Sequence, residues 1–229
     1  MLEKLKEEVY LANKALVDKG LVILTWGNVS ARDDETGLVV IKPSGVSYES
    51  MKPSDMVVVS LDGKVVEGEL NPSSDTLTHL EIYKAHPEIK GICHTHSFYA
   101  TAYAQSGKSL PCYGTTHADY FYGDVPITRA LSKSEVIEGY ELNTGKVINE
   151  VLKDPISCPA VLVYNHGPFT FGKSAMHSVE VAEVLEYICG LAINMKVVNS
   201  DQKEIEAYIK DKHYFRKHGP KAYYGQKKK

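Results

Sequence analysis

The sequence predicts an α/β fold in which helices lie on the faces of a mixed sheet, and three observations support this. Helical and strand periodicities alternate along the 229 residues, which favours layers of sheet and helix. Asp62-Gly63 between two apolar runs is a two-residue hairpin pattern, so part of the sheet is antiparallel. Neither GxGxxG nor GxxxxGK[ST] occurs, which argues against the nucleotide sites of many parallel sheets.

The first half of the chain begins with a helix and continues with short strands. Apolar residues at helical spacing predict a helix over 2–19, which Gly20 ends. The residue types at 72–75 can cap a helix over 76–85, and Pro87 stops that helix. Strand-like runs precede it, at 21–25, 38–41, 56–61 and 64–66.

The second half contains further buried strands between helices. Apolar runs at 91–93 and 160–164 predict buried strands. Residues 110–128, rich in Tyr, Gly, Thr and Pro, predict a loop with a short strand. Helices are predicted over 97–105, from the capping box at 132–135, and over 143–152, 174–198 and 201–217.

Composition favours one ordinary globular domain over 1–229. Hydrophobic residues make up 43% and charged residues 24% of the chain, and no clear linker divides it. The net charge of −3 gives no basic field for nucleic acid, and the basic run at 227–229 is predicted to be a solvated tail.

Targeting features point to a cytoplasmic protein. No apolar run approaches the roughly 18 residues of a membrane helix, and the N-terminus has no apolar signal-peptide segment. The four cysteines are scattered without a CxxC pair, so we expect them to be reduced core residues.

His94 and His96 are the first candidates for chemistry. Residues i and i+2 of a strand point to the same side, so the pair fits half of a transition-metal site. The pair fits equally well two polar residues at a strand end whose hydrogen-bonding groups have partners within the protein. Asp75 at a helix start and His166 after the strand at 160–164 are candidate partners.

Spacing does not choose these partners over other histidines. His86 precedes Pro87 and His177 lies in a helix, so both are interpreted as surface or packing residues. The competing histidines are His79, His86, His117, His177, His213 and His218.

Motifs spread along the whole chain resemble a known family. They are TWGNVS at 25–30, IKPSGV at 41–46, PSSDT at 72–76, HTHS at 94–97, GTTHADYFYG at 114–123, HGPF at 166–169, DKHY at 211–214 and AYYGQ at 222–226. Together they resemble the class II (zinc) aldolase and adducin family. TTHADYFYG and AYYGQ are typical of its epimerase branch, whereas other segments are shared with sugar-phosphate aldolases.

The resemblance implies a fold and a metal site. The fold is a three-layer α/β/α class II aldolase-like fold with a mixed, largely antiparallel central sheet. The metal is Zn²⁺, with Mn²⁺ or Co²⁺ as alternatives, and its ligands are Asp75, His94, His96 and His166. Aldolases have a glutamate that acts as the base where Asp75 stands, so Asp75 favours epimerisation. Tyr164 stands where some relatives have a histidine, outside the ligand pattern.

The resemblance also implies an activity, the interconversion of L-ribulose 5-phosphate and D-xylulose 5-phosphate. The C4 proton of a 2-ketose is not acidic, so inversion requires cleavage and re-formation of the C3–C4 bond. A Lewis-acidic metal stabilises the resulting charge. Asp119 and Tyr224 are implied as proton donors for the two aldehyde faces. In the family they come from a neighbouring subunit of a homotetramer.

Donors for the substrate phosphate are implied at three loops: Gly27, Asn28, Lys42, Ser44, Gly45, Ser73 and Ser74. Such Gly and Ser residues are more often ordinary turns and caps. Thr115, Glu141 and His213 match positions near the site.

Two alternatives stay open, a fuculose- or rhamnulose-1-phosphate aldolase and a non-enzymatic adducin-like binding module. Arabinose catabolism and other L-sugar routes fit the resemblance equally.

Overall fold

The structure is a computed structural model that describes residues 2–226. The basic run at 227–229, predicted to be a solvated tail, lies outside the described residues. The helices are α1 (Glu3–Asp18), α2 (Thr76–Ala85), α3 (Phe98–Gln105), α4 (Thr115–Ala118), α5 (Lys133–Val151), α6 (Ala175–Val198) and α7 (Ala207–Lys217). The strands are β1 (Asn28–Arg32), β2 (Val39–Ile41), β3 (Val57–Val59), β4 (Val65–Glu67), β5 (Gly91–His94), β6 (Ala160–Leu162) and β7 (Pro168–Gly172).

The strands form one seven-stranded sheet in the order β4-β3-β2-β1-β5-β7-β6. Every pair of neighbouring strands is antiparallel. Within residues 2–226 the parallel component of the predicted mixed sheet is confined to an isolated bridge between Ile127 and Leu162. The largely antiparallel sheet is therefore confirmed.

Helices cover both faces of this sheet, because successive strand residues point to opposite sides. Val39 and Ile41 pack into the core beneath α2 and α5, whereas Val40 packs into the core beneath α1 and α6. These three side chains are fully buried, so both faces of β2 are shielded from water. This arrangement confirms the three-layer α/β/α fold. Within residues 2–226, no helix is long and apolar enough to cross a membrane.

The strand predicted over 21–25 is wrong, and its apolar residues lie largely at the surface. Ile23 is 61% and Leu24 76% exposed. Leu24 has a positive φ of 54°, and the N–H of Trp26 donates to the carbonyl of Ile23 at 3.1 Å, so the backbone turns here. The strand begins three residues after this run, at Asn28.

Gly27 makes that late start possible. Its φ is +84°, and a Cβ built there would lie 2.7 Å from the Val22 side chain and 3.0 Å from the carbonyl oxygen of His94. A side chain at this position would therefore be strained and would collide. The glycine lets β1 begin directly beside the end of β5, where Asn28 pairs with His94.

The segment 110–128, predicted as a loop with a short strand, contains the helix α4 and isolated bridges, and further differences concern other elements and their ends. The strand predicted over 160–164 ends at Leu162, and the chain turns back into β7. The sequence pattern did not predict β7, because this strand is short and directly follows His166-Gly167. The two helices predicted from 132 and over 143–152 are halves of α5, separated by non-helical Gly139. The final helix begins at Ala207 instead of 201. All four cysteines are free.

Candidate metal centre

Three histidines converge at one edge of the sheet. His94 ends β5, His96 lies two residues beyond it, and His166 lies in the turn between β6 and β7. Because β5 and β7 pair with His94 opposite Phe169, the turn before β7 reaches the end of β5. One nitrogen from each ring lies within 4.8 Å of the others, and the Nε2 atoms of His94 and His96 are 3.1 Å apart.

Neighbouring groups orient two of these rings. His94 Nδ1 donates to the carbonyl oxygen of Pro168 at 3.0 Å, which leaves its Nε2 lone pair facing the cluster. The Phe169 ring stacks on His94 with centroids 4.2 Å apart. The Tyr140 hydroxyl lies 3.3 Å from His166 Nδ1. A backbone carbonyl that fixes an imidazole tautomer is a common feature beside metal ligands.

The protonation state of the cluster suits metal binding. Burial, and then the neighbouring His94, lower the pKa of His96 to about 4 and that of His166 to about 3. Both rings are therefore neutral near pH 7, the form that binds a metal ion. Three imidazoles with converging nitrogens are a donor set for zinc or a neighbouring transition metal, so the residues present fit such an ion.

Asp75 lies beside this cluster in the same pocket. The group of converging ligand atoms found within residues 2–226 contains the three histidines and not Asp75. Asp75 occupies the N-cap of α2 but does not cap it; its Oδ2 accepts from Asn28 Nδ2 at 2.7 Å instead. Burial opposes ionisation, but nearby His94 and His79 and the Asn28 hydrogen bond hold the pKa of Asp75 below its ordinary value.

A pocket of about 500 Å³ opens over the cluster. It is lined by all seven residues implied in phosphate binding: Gly27, Asn28, Lys42, Ser44, Gly45, Ser73 and Ser74. Asp75, His96, Glu141 and His166 line it as well. Sequence reasoning missed Thr25, Trp26, Pro43 and Tyr140 as lining residues, although three of them fall inside the matched segments and Tyr140 precedes Glu141.

Lys42 brings a positive charge that no carboxylate neutralises within the described residues. Its side chain is buried, and Nζ donates to the carbonyls of Val46 at 3.1 Å and Pro43 at 3.3 Å. Nζ also lies 4.9 Å from the centre of the Tyr48 ring. Burial lowers the pKa of Lys42 to about 8, so the ammonium is still mostly charged at pH 7.

Two serines of the pocket, Ser44 and Ser73, use their backbone N–H groups within the protein, so their hydroxyls are the groups that can bind a ligand. The N–H of Ser44 donates to the carbonyl of Asn71 at 2.9 Å, and that of Ser73 donates to the carbonyl of Lys42 at 3.0 Å. The Ser73 hydroxyl accepts from the N–H of Asp75 at 3.3 Å. These bonds fix the two loops on either side of Lys42.

Asp119, Tyr224, His213 and Thr115 do not line this pocket. The Asp119 carboxylate instead accepts from Arg216 at 2.8 and 3.1 Å and from His213 Nδ1 at 3.1 Å. Burial opposes ionisation of Asp119, but these donors and Lys217 hold its pKa below the ordinary value.

Tyr224 belongs to the same second cluster. Its ring is 64% exposed and lies 4.5 Å from Lys217 Nζ and 5.2 Å from the Arg216 guanidinium. Thr115 begins α4 and is exposed. The structure thus brings Asp119, His213 and Tyr224 together, but away from the histidine cluster of the same chain.

Comparisons with known proteins agree on one family. The family model described as Class II Aldolase and Adducin N-terminal domain matches residues 7–193. A solved L-fuculose 1-phosphate aldolase is 29% identical, with a TM-score of 0.78, over 92% of this chain and 94% of that chain.

Two further structures share the fold. The L-fuculose 1-phosphate aldolase of Glaciozyma antarctica PI12 is 23% identical, with a TM-score of 0.80, over 96% of this chain and 84% of its own. YgbL of Klebsiella pneumoniae, for which aldolase, epimerase or decarboxylase activity is suggested, is 23% identical, with a TM-score of 0.70, over 93% of this chain and 99% of its own.

Proposed function

The chain belongs to the class II aldolase and adducin family, and we propose that it makes and breaks a carbon–carbon bond of a phosphorylated ketose with the help of a divalent metal ion. More specifically, we propose that it interconverts L-ribulose 5-phosphate and D-xylulose 5-phosphate. The observation that carries this proposal is the convergence of three imidazoles, two of which line a pocket of about 500 Å³ together with the buried Lys42.

Metal binding is assigned to His94, His96 and His166, with Asp75 as a further ligand. One anionic carboxylate, that of Asp75, beside three imidazole ligands would leave a net positive centre when a divalent ion is bound. Such an ion, Zn²⁺ in the first place with Mn²⁺ or Co²⁺ as alternatives, supplies Lewis acidity to the oxygens that gain charge as the C3–C4 bond breaks. The complete histidine set favours an enzyme over an adducin-like binding module.

Phosphate binding is assigned to the pocket residues that carry a positive charge, hydroxyl groups or no side chain. Lys42 supplies one buried positive charge, and Ser73 and Ser74 precede the N-terminus of α2, where the helix dipole favours an anion. Ser44 adds a hydroxyl, and Gly45 keeps the opposite wall free of side chains. The charge is local, as expected for a protein whose net charge is −3.

Substrate affinity should weaken as the pH rises above 8. Because the pKa of Lys42 is about 8, its ammonium is present below that pH and is lost above it, while a sugar phosphate stays dianionic throughout. KM for L-ribulose 5-phosphate should therefore rise between pH 8 and 10. Lys42→Met should raise KM at pH 7 by about 10–100-fold and remove the pH dependence.

The control for this prediction is Lys14→Met. Lys14 also donates to a backbone carbonyl, that of Tyr48 at 2.8 Å, but it lies outside the pocket. This variant should keep the KM of the wild-type protein and its rise above pH 8. A Lys42→Met protein with unchanged KM at pH 7 would contradict the phosphate assignment.

Proton transfer at the C4 oxygen is assigned to Asp119 and Tyr224 of a neighbouring copy. Both types of side chain can take and return a hydroxyl proton, and both lie in a second cluster that does not line the chain's own pocket. A homotetramer in which the second cluster of one subunit closes the pocket of the next would complete the site. Thr115, His213 and Glu141 are then neighbours of the reacting atoms.

A sugar-phosphate aldolase is the second candidate, because the 29% identical relative is an L-fuculose 1-phosphate aldolase. Asp75 argues against it, since the resembling aldolases have a glutamate there. We expect metal-loaded protein to form D-xylulose 5-phosphate from L-ribulose 5-phosphate, followed with a coupled assay. Net release of dihydroxyacetone phosphate from fuculose or rhamnulose 1-phosphate, without any xylulose 5-phosphate, would establish the aldolase instead.

A further inference from the structure

A row of polar contacts joins β1 to α2 behind the metal pocket. Asn28 donates to Asp75 at 2.7 Å, Ser30 Oγ lies 2.7 Å from His79 Nδ1 and 2.9 Å from the Tyr83 hydroxyl, and Arg32 donates to the Tyr83 carbonyl at 3.0 Å. We call these six residues the polar ladder. Val29 and Ala31 of β1 pack in the core on the opposite face of the sheet, so the side chains that β1 turns toward α2 are these polar ones, and their hydrogen bonds fix position as well as distance.

The ladder follows from the geometry of the two elements. Two residues of a strand advance about 6.6 Å, and four residues of a helix advance about 6 Å. Positions 28, 30 and 32 of β1 can therefore meet positions 75, 79 and 83 of α2 in register. A rotation or a shift of α2 by one residue would break all the contacts at once.

His79 is the central residue of this ladder and is fully buried. Its Nδ1 is anchored on Ser30, whereas its Nε2 has no partner within the described residues. A buried nitrogen without a partner costs free energy, so an apolar residue would suit the core better at this position. The presence of an imidazole at this buried position calls for a role beyond packing.

The surroundings of His79 indicate that role. His79 interacts electrostatically with both Asp75 and His94. Its ring also meets Phe169 edge-on at 5.8 Å, and the opposite contact of Phe169 is the stack on His94 at 4.2 Å. The buried His79 ring thus contacts Phe169, which stacks on His94, and it also interacts with Asp75. His79 does not itself line the pocket.

We propose that His79 is a positioning residue for the metal site: its Nδ1 contact with Ser30 sets the register of α2 on β1, and thereby the place at which Asp75 meets the three histidines. The inference rests on the metal assignment made under the proposed function. His79 touches neither substrate nor metal ion in this role. Its effect passes through Asp75.

The test measures zinc affinity of the metal-free full-length protein by competition with a chromophoric chelator. His79→Leu should weaken zinc binding by about 10–100-fold, the usual effect of losing a residue that supports a ligand. His79→Asn, whose amide can occupy the place of Nδ1, should recover most of this loss. Tyr83→Phe removes only the outer contact of Ser30 and should weaken zinc binding less than His79→Leu does.

A double-variant comparison separates positioning from general destabilisation. In an Asp75→Asn background, His79→Leu should cause no further loss of zinc affinity, because the residue it positions is already gone. Equal losses in both backgrounds, or wild-type affinity in His79→Leu, would overturn the inference. If His79→Leu does not fold, Ser30→Ala breaks the same contact by removing one oxygen atom, and the same outcomes apply.

The two proposals fail in different ways. If the wild-type protein binds no zinc at stoichiometric concentration, the metal assignment itself is wrong. If the wild-type protein binds zinc and the His79 and Ser30 variants bind it equally well, the metal assignment stands and the positioning role of His79 is wrong.

Discussion

Replacing His96 by Asn is expected to remove metal and activity together. His96 is half-buried, its Nε2 lies 3.1 Å from that of His94, and the shorter amide of asparagine cannot place a donor atom at the same point. We expect metal affinity to fall by more than about 100-fold, beyond the effect of losing a supporting residue. The turnover number should fall by about 1,000-fold or more, because Lewis acidity contributes several kcal/mol to the transition state.

The measurement combines metal content by mass spectrometry with the coupled epimerase assay on the same samples. His177→Asn is the matched control, since His177 is also a half-buried histidine and lies on α6 outside the cluster. This control should keep both metal and rate. A His96→Asn protein with full metal content and unchanged turnover would refute the assignment of the centre.

The second large effect is expected for Asp119→Asn. If Asp119 transfers a proton in a neighbouring copy's site, its replacement should lower kcat by about 10²- to 10⁴-fold and leave the metal content intact. The change also removes a carboxylate that holds Arg216 and His213 on α7, so thermal unfolding must be measured in parallel. The control is Asp211→Asn. Asp211 lies on α7 like His213 and Arg216, and its replacement weakens a hydrogen bond from the Tyr122 hydroxyl, so this variant should have near wild-type kcat.

Mixing the two inactive variants tests whether the site lies between subunits. An interface that takes its histidines from the Asp119→Asn chain and its Asp119 from the His96→Asn chain is complete. Random reassembly of equal amounts should therefore restore about a quarter of the sites of a cyclic tetramer. Mixed and reassembled protein that stays as inactive as either variant alone would show that each chain uses its own Asp119, or does not use it.

The sequence was most informative where a local pattern is sufficient. The helical spacing in α1, the capping box at Ser132 and the Asp62-Gly63 hairpin depend on neighbouring residues. The structure contains the helix, the capping box and an antiparallel β3–β4 hairpin, although β3 ends at Val59 and β4 begins at Val65, so the connection is longer than the two residues predicted. The sequence was misleading at 21–25, where an apolar run predicts a strand. The backbone turns there with positive φ angles at Leu24 and Gly27, and Gly27 lies against the carbonyl of His94, a long-range contact that spacing cannot reveal.

The site shows the same division. Residue types and motif resemblance selected His94, His96 and His166 as a set, since imidazoles suit one class of ion wherever they meet. Only the pairing of β5 with β7 decides that His166, 70 positions after His96 in the sequence, faces the other two. The resemblance alone implied Asp119 and Tyr224, as proton donors from a neighbouring subunit, and the fold groups them in a second cluster that does not line the pocket of the same chain.

The sequence by itself therefore determined most of the helices and strands, because these depend on local periodicity, and the resemblance of its motifs to one family implied the class of chemistry and most of the residues that line the pocket. The tertiary structure decided which of these residues meet, that Lys42 is buried without a carboxylate partner among the described residues, and that β1 and α2 are held in register behind Asp75. These are consequences of long-range strand pairing and helix packing, in which residues far apart in the chain become neighbours.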